Sequence, residues 1–246
     1  MILRIGTAAW ALPRDVRDTF PSGASNLERY AGRLNANEIN SSFYRPHRRA
    51  TYARWAASVP EEFRFAVKLP RTITHDARFV DYEALLVRFA EEVGGLGEKR
   101  GPVLVQLPPR FAFDAALADN FFAQVNAIVG GAIVLEPRHA SWFGPRAEAL
   151  LVQHRIARVA ADPATVSAAA LPGGWAGLAY FRLHGSPRIY WSGYDAGERA
   201  AWMEKARATG AGEVWVIFDN TAGGAATGDA LAFADLLGAA NPAMRD

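Results

Sequence analysis

The chain has 246 residues, half of them hydrophobic, with 27 Lys and Arg against 25 Asp and Glu and a net charge of +2. That is enough for one sizeable core, read as a single domain over residues 1–246, and the near balance of charge argues against a general nucleic-acid or membrane surface. The absence of cysteine excludes disulfides, thiolate catalysis, iron–sulfur clusters and cysteine-held zinc.

Met1 leads directly into ILRIG, with no basic segment, apolar stretch and cleavage site, so no signal peptide is expected. No run reaches the roughly 18 apolar residues a membrane helix needs. A cytoplasmic protein with no membrane partner is the expectation.

Taken in order, strand-like and helix-like segments alternate. RIGTAA from Arg4 precedes the helical run NLERYAGRL, with Asn26 in the capping position. EINSSFY from Glu38 precedes ATYARWAASV, which puts Tyr52, Trp55, Ala56 and Val59 on one face. FAVKLP from Phe65 is followed by VDYEALLVRFAEEV, opened by Asp81, and PVLVQLPP from Pro102 by the helix from Asp114. AIVLEPRH from Ala132 precedes PRAEALLVQHR, whose Pro145 suits a first helical turn. RVAAD from Arg158 is followed only by PATVSAAALPGG, so the sixth crossover reads as reduced to a loop. YFRLHG from Tyr180, a helix from Glu198, VWVIFDN from Val214 and a last helix from Gly228 complete the set. Alternating strands and helices imply a parallel sheet, and eight units in this length imply a single closed (β/α)8 barrel of the TIM type.

Sites in such barrels lie at the C-terminal strand ends. Side chains two apart share a strand face. Tyr180, Arg182 and His184 therefore share one face, as do Glu136 with Arg138 and Glu38 with Asn40. Their apolar neighbours should meet the helices, leaving the polar set in the barrel mouth. Such a mixed set could bind a ligand or neutralise itself as an ion-pair network, because buried charges must be paired. The ligand reading makes Glu136 a general base or acid with His184 as its partner, has Glu38 and Asn40 orient the reacting group, and assigns anion holding to Arg138, Arg182 and Lys68.

The chain has 24 Arg but three Lys: Lys68, Lys99 and Lys205. Lys68 closes the third strand, and an amine can lose its proton where a guanidinium effectively cannot. It reads as an anion anchor or a desolvated amine for proton transfer; the plain alternative is a snorkelling surface lysine. His75 is expected in the loop above the mouth. Gln106 could orient substrate or satisfy backbone near Pro108 and Pro109. Asp162 is an acid, a base or a cap. After the eighth strand, Asp219 and Asn220 lead into a loop with Gly223 and Gly224, where many barrels hold phosphate; the alternative is an ordinary turn, and Asp219 opposes close phosphate binding. Tyr44 opens a basic aromatic stretch with Arg45, His47, Arg48, Arg49 and Arg54, either a solvated loop or a docking strip for a phosphodiester or acidic partner. Trp10 and Trp142 either wall the mouth or pack beneath loops.

No cofactor is predicted. A metal stays open, because Glu38, Glu136, His139, Asp162 and His184 are of suitable types, but no HxH or HExxH spacing occurs.

IGTAAW at Ile5, LNANEINSSFYR at Leu34, RFAVKLPRTITH at Arg64, GPVLVQLPPRF at Gly101, LEPRHASWF at Leu135, YFRLHG at Tyr180 and VIFDNTAGGAATGDAL at Val216 resemble, in order and from end to end, the motifs of the YecE-like family, catalogued as domain of unknown function seventy-two. The resemblance implies a TIM-barrel-like fold and brings no established reaction. The family commonly has a small residue then Gly where Ala8 and Ala9 stand, Phe at Pro137, Pro at Ala140 and Asn at Asp229. The expected function is that of a hydrolase or isomerase acting on an anionic, phosphorylated sugar or nucleotide-like substrate. The alternatives are a non-catalytic module for nucleic acid or an acidic partner, and a metal-dependent phosphodiesterase. The oligomeric state is left open.

Overall fold

A computed structural model describes residues 1–239. In chain order the elements are β1 (Ile2–Ala8), α1 (Asn26–Ala31), β2 (Ala36–Ile39), α2 (Ser41–Tyr44), α3 (Arg49–Ala57), β3 (Arg64–Lys68), α4 (Glu83–Val93), β4 (Arg100–Gln106), α5 (Ala115–Ile128), β5 (Ile133–Glu136), α6 (Pro145–Gln153), β6 (Ile156–Arg158), β7 (Ala160–Asp162), β8 (Gly173–Gly174), β9 (Leu178–Leu183), α7 (Ala196–Arg207), β10 (Glu213–Phe218) and α8 (Ala225–Ala239). Ala240, the end of the last run expected to be helical, lies outside the described residues.

The expected (β/α)8 barrel forms. β1 pairs in parallel with β2 and with β10, and the parallel series continues from β2 through β6 on one side and from β10 to β9 and β7 on the other. β6 and β7 are halves of one strand interrupted at Val159, the first half against β5 and the second against β9, which completes the ring. The sixth crossover has no α-helix, only a 3-10 turn over Ser167–Ala170 and the two-residue β8. The Arg158 guanidinium holds it, bonding the Glu148 carboxylate and, at 2.9 Å, the Ala168 carbonyl.

The strand alternation sorts the apolar residues into two cores. Outward-facing Phe65, Val67, Val103, Val105, Leu135, Phe181, Leu183, Val216 and Phe218 pack under the helices. Inward-facing Ala36, Ala66, Leu104, Val134, Ala157, Tyr180, Trp215 and Ile217 fill the barrel. The small residues leave room for Trp215 and Tyr180, stacked with centroids 5.8 Å apart. Gly6 belongs to the same economy: a Cβ there would stand 2.1 Å from the Ala36 carbonyl oxygen.

The helix starts follow the expected chemistry at Asp114, which accepts from the Leu117 amide at 2.9 Å, and at Pro145 in the first turn of α6. Others shift. Ser25, not Asn26, caps α1, accepting from the Glu28 amide. α4 starts at Glu83 rather than at Asp81, because the preceding Tyr82 is drawn into the core against Phe121. Asp195 and Glu198 form a reciprocal capping box, so Glu198 lies inside α7 rather than opening it. No helix among the described residues is long and apolar enough to cross a membrane.

Candidate active site at the C-terminal barrel mouth

The inward polar residues meet at the C-terminal ends of the strands, and Arg182 from β9 lies at their centre, 1% exposed. Its Nε donates to Glu38 Oε2 at 3.0 Å and its NH2 to Glu38 Oε1 at 2.8 Å. Its NH1 donates to Glu136 Oε2 at 2.6 Å, and NH2 also reaches Asp219 Oδ2 at 2.8 Å. The Tyr180 hydroxyl donates to Glu38 Oε2 at 2.8 Å. Above this layer, His184 sets Nδ1 2.9 Å from Asp219 Oδ2 and Nε2 3.1 Å from Glu136 Oε1. Arg138 NH2 lies 2.6 Å from Glu136 Oε1 and 3.3 Å from His184 Nε2.

These contacts change the chemistry expected of two residues. Arg182 is fully engaged by carboxylates beneath the mouth, so it orders the acids instead of holding a substrate anion. Burial alone would push the Glu136 carboxyl up, but Arg182, then Arg138 and His184, outweigh it and hold Glu136 well below the usual carboxylate range. A carboxylate so stabilised is a poor general base, and Glu136 becomes the hinge between Arg182 and Arg138. Asp219 is lowered in the same way: burial opposes, and Arg182 and His184 prevail.

Lys68 stands apart. It is 7% exposed, with Nζ 4.3 Å from the centre of the Phe43 ring. The Nζ has no hydrogen-bond or ion-pair partner among the described residues. Burial, then the Arg182 charge, push its pKa down to about 8, against the pull of Glu38, Glu136 and Asp219. His75 sits in the helical turn Thr72–Asp76, Nδ1 2.8 Å from Thr74 Oγ1 and its ring edge-on to Phe43 at 5.0 Å. Burial and the charges of Lys68 and Arg71 lower its pKa. Asn40 follows β2, half-buried, and its Oδ1 has no partner among the described residues. Arg138 Nε is likewise buried without a partner among them. Gln106 ends β4 in register with Glu136.

Other expected site residues do different work. Asn220 is fully buried, donating from Nδ2 to the Ser192 carbonyl at 2.9 Å and to Asp229 Oδ2 at 2.7 Å, so it braces two loops and meets no solvent. The glycine loop cradles no anion: the Ala222 and Gly223 amides donate to the Tyr190 carbonyl, and that of Gly224 to Thr221. Tyr44 is 74% exposed and leans edge-on against Phe43. Trp142 is buried, donating to the Phe111 carbonyl, and Trp10 packs edge-on against Trp55; both support loops. Arg45, Arg48, Arg49 and Arg54 are exposed, and none makes an ion pair among the described residues, while His47 is held 2.8 Å from Ser41 Oγ. Of the suggested metal donors, Glu38, Glu136 and His184 meet around Arg182, which fills the space between them. Asp162 accepts from the Tyr194 hydroxyl, His139 caps a 3-10 turn, and no group of three or more His, Asp or Glu among the described residues could hold a metal ion.

Two residues escaped the sequence reading. Phe43 forms the wall against Lys68, and Tyr190 lies edge-on to His184 with centroids 5.6 Å apart. The adjacent aromatics Tyr190 and Trp191, in the loop after the most polar strand, were the available signal for the second.

Fold and site together define a TIM-barrel protein whose ordered charge cluster fills the C-terminal end of the barrel. The chain belongs to the DUF72 family, described as protein of unknown function DUF72, whose sequence profile matches residues 4–246. It is 31% identical over 110 residues to UPF0759 protein YecE of Escherichia coli, a stretch that is 45% of this chain and 39% of YecE. The match thus spans about two-fifths of that relative's length. A DUF72 family protein from Enterococcus faecalis superposes with a TM-score of 0.79 at 22% identity, covering 96% of this chain and 95% of that one. A sugar phosphate isomerase/epimerase from Parabacteroides distasonis superposes with a TM-score of 0.55 at 13% identity, covering 96% of each chain. At these identities the likeness is one of fold.

Proposed function

We propose that the chain is an enzyme that transfers a proton on a small phosphorylated sugar bound in the barrel mouth, a reaction of the isomerase class. The observation that carries this reading is Lys68: an amine at a strand end, almost enclosed, unpaired among the described residues, its pKa pushed down to about 8 by burial. A general acid–base group works best when its pKa lies near the working pH. Lys68 takes the part that Glu136, held ionised, performs poorly. Arg138, whose Nε has no partner among the described residues and whose side chain is 13% exposed, supplies the fixed positive charge for the phosphate, with His75 within reach of that charge. The Parabacteroides barrel named above carries the same class of substrate and reaction in its name.

The test is a thermal-shift comparison of sugar phosphates, unphosphorylated sugars and short oligonucleotides on wild type and Arg138→Leu, followed by proton exchange of the best ligand in heavy water. A ligand at a hundred times its dissociation constant adds about 2.7 kcal/mol, a rise of about 5–10 °C for a chain of this size. The expected result is such a rise with a sugar phosphate, lost in Arg138→Leu, and exchange of the proton beside the carbonyl that Lys68→Met abolishes. No shift with sugar phosphates, or one unchanged in Arg138→Leu, overturns the proposal. A shift with oligonucleotides alone supports a nucleic-acid module instead.

A further inference from the structure

We infer that Lys68 acts covalently, forming a Schiff base with its substrate, which confines the substrate class to aldehydes and ketones carrying an anionic group. This rests on the reading of the mouth as a small-anion site. The chain places Arg at 24 of its 27 basic positions, yet an amine stands at the end of β3. A guanidinium would serve an ion pair or a phosphate at least as well; only an amine can be a nucleophile toward carbon.

The surroundings keep that amine available. The acids that could pair with it are occupied: Glu38 by Arg182 and Tyr180, Glu136 by Arg182 and Arg138. Asp219 gives Oδ2 to Arg182 and His184, and its Oδ1 has no hydrogen-bond partner among the described residues. The ring of Phe43 covers one side of Nζ and excludes water there. An uncommitted amine, one free carboxylate oxygen and a fixed cation at Arg138 therefore share one mouth. The amine and the cation are the protein's share of imine chemistry, a nucleophile and an anchor that orients the carbonyl, and the ionised carboxylate beside them favours the positive charge of an iminium.

The step balances without an added reagent. The Lys68 ammonium gives a proton to water, and the nitrogen lone pair then attacks the carbonyl carbon. The carbonyl π pair moves to oxygen, which takes up a proton to give a carbinolamine. The carbon–oxygen bond then breaks, water leaves with the bonding pair and a proton, and the nitrogen lone pair closes the C=N bond. Ammonium plus carbonyl becomes iminium plus water, with charge conserved.

The other lysines are internal controls. Lys99 Nζ donates to the carbonyls of Val59 and Pro60, and Lys205 Nζ lies 3.8 Å from the centre of the Trp202 ring on α7, away from the mouth. The experiment incubates wild type with dihydroxyacetone phosphate and sodium cyanoborohydride, then locates adducts by peptide mass mapping. Glycerol 3-phosphate, which lacks the carbonyl, is the companion probe in a thermal-shift assay. The expected result is reductive labelling at Lys68 about tenfold or more above that at Lys99 and Lys205, absent in Lys68→Arg. Equal labelling of the three lysines overturns the inference. No labelling, with both phosphates still stabilising the protein, overturns it while leaving the small-anion site standing. No labelling and no stabilisation by either overturns both.

Discussion

Arg182 and Glu38 meet at two points, Nε to Oε2 at 3.0 Å and NH2 to Oε1 at 2.8 Å, with both side chains at most 1% exposed. Both the attraction and the desolvation penalty are large here, so the pair is best judged by what breaking it does. Arg182→Met strands three carboxylates in the barrel and is expected to cost about 3–5 kcal/mol in urea denaturation. Adding Glu38→Gln should recover part of that loss, because one of the stranded charges is gone. A loss under about 1 kcal/mol for Arg182→Met, or a double variant weaker than the sum of the singles, would contradict the network as described.

The Lys68 amine is expected to make stability depend on pH in one direction. Its pKa falls from 10.5 to about 8 on folding. Between those values the unfolded chain holds the proton and the folded one has released it, so this group's contribution rises with pH across that window. Below about pH 8 both states are charged and the full burial penalty applies. Lys68→Met is therefore expected to stabilise the fold by about 1–3 kcal/mol at pH 7, the gain shrinking between pH 8 and 10. Thermal melts of both proteins at pH 7, 8.5 and 10 check it; a gain that grows with pH contradicts the sign.

Ala9 follows β1 with φ +102°, a left-handed backbone that alanine adopts only under strain, and it is exposed. Its carbonyl accepts from the Thr7 hydroxyl and its amide donates to the Glu38 carbonyl at 3.2 Å, so the conformation is pinned. Ala9→Gly is expected to add about 1 kcal/mol, read as a rise of about 2–4 °C in melting temperature. A fall would mean that the entropy of the freed unfolded chain outweighs the strain.

The loop after β9 rests on the loop after β10 through Gly223, where a Cβ would stand 2.6 Å from the Trp191 carbonyl oxygen. Gly223→Ala should lift the segment bearing Tyr190 off His184. Faster trypsin cleavage after the exposed Arg188 is the expected readout, with far-ultraviolet circular dichroism unchanged. Equal cleavage rates would show that the loop adjusts without lifting.

The barrel was legible because two chemical rhythms coincide. Phe181 and Leu183 against Tyr180, Arg182 and His184 fixes which face of β9 meets helices, and the same alternation in β2 and β5 brings Glu38 and Glu136 to one level. The reduced sixth crossover was legible from its prolines and glycines. What the pattern could not carry is valence. Nothing in the spacing tells that Arg182 gives its donors to Glu38, Glu136 and Asp219, or that Gly223 serves Tyr190 rather than an anion, because those depend on loop paths set by distant contacts. Asn220 misled for the same reason: its partners Ser192 and Asp229 come from two other segments.

Glu38 lies 144 residues before the arginine that neutralises it, and Glu136 lies 46 before. A chain emerging from its N-terminus therefore carries Glu38 for more than half of its synthesis without that arginine, while Glu136 is followed at once by its second partner, Arg138. The inner layer cannot dry until β9 arrives, and the ring cannot shut until β10 meets β1. A fragment ending before Leu178 has six of the eight barrel strands but must keep its acidic face wet. The Glu38 carboxylate thus finds its buried counter-charge only when the last third of the chain, which carries Arg182, is present.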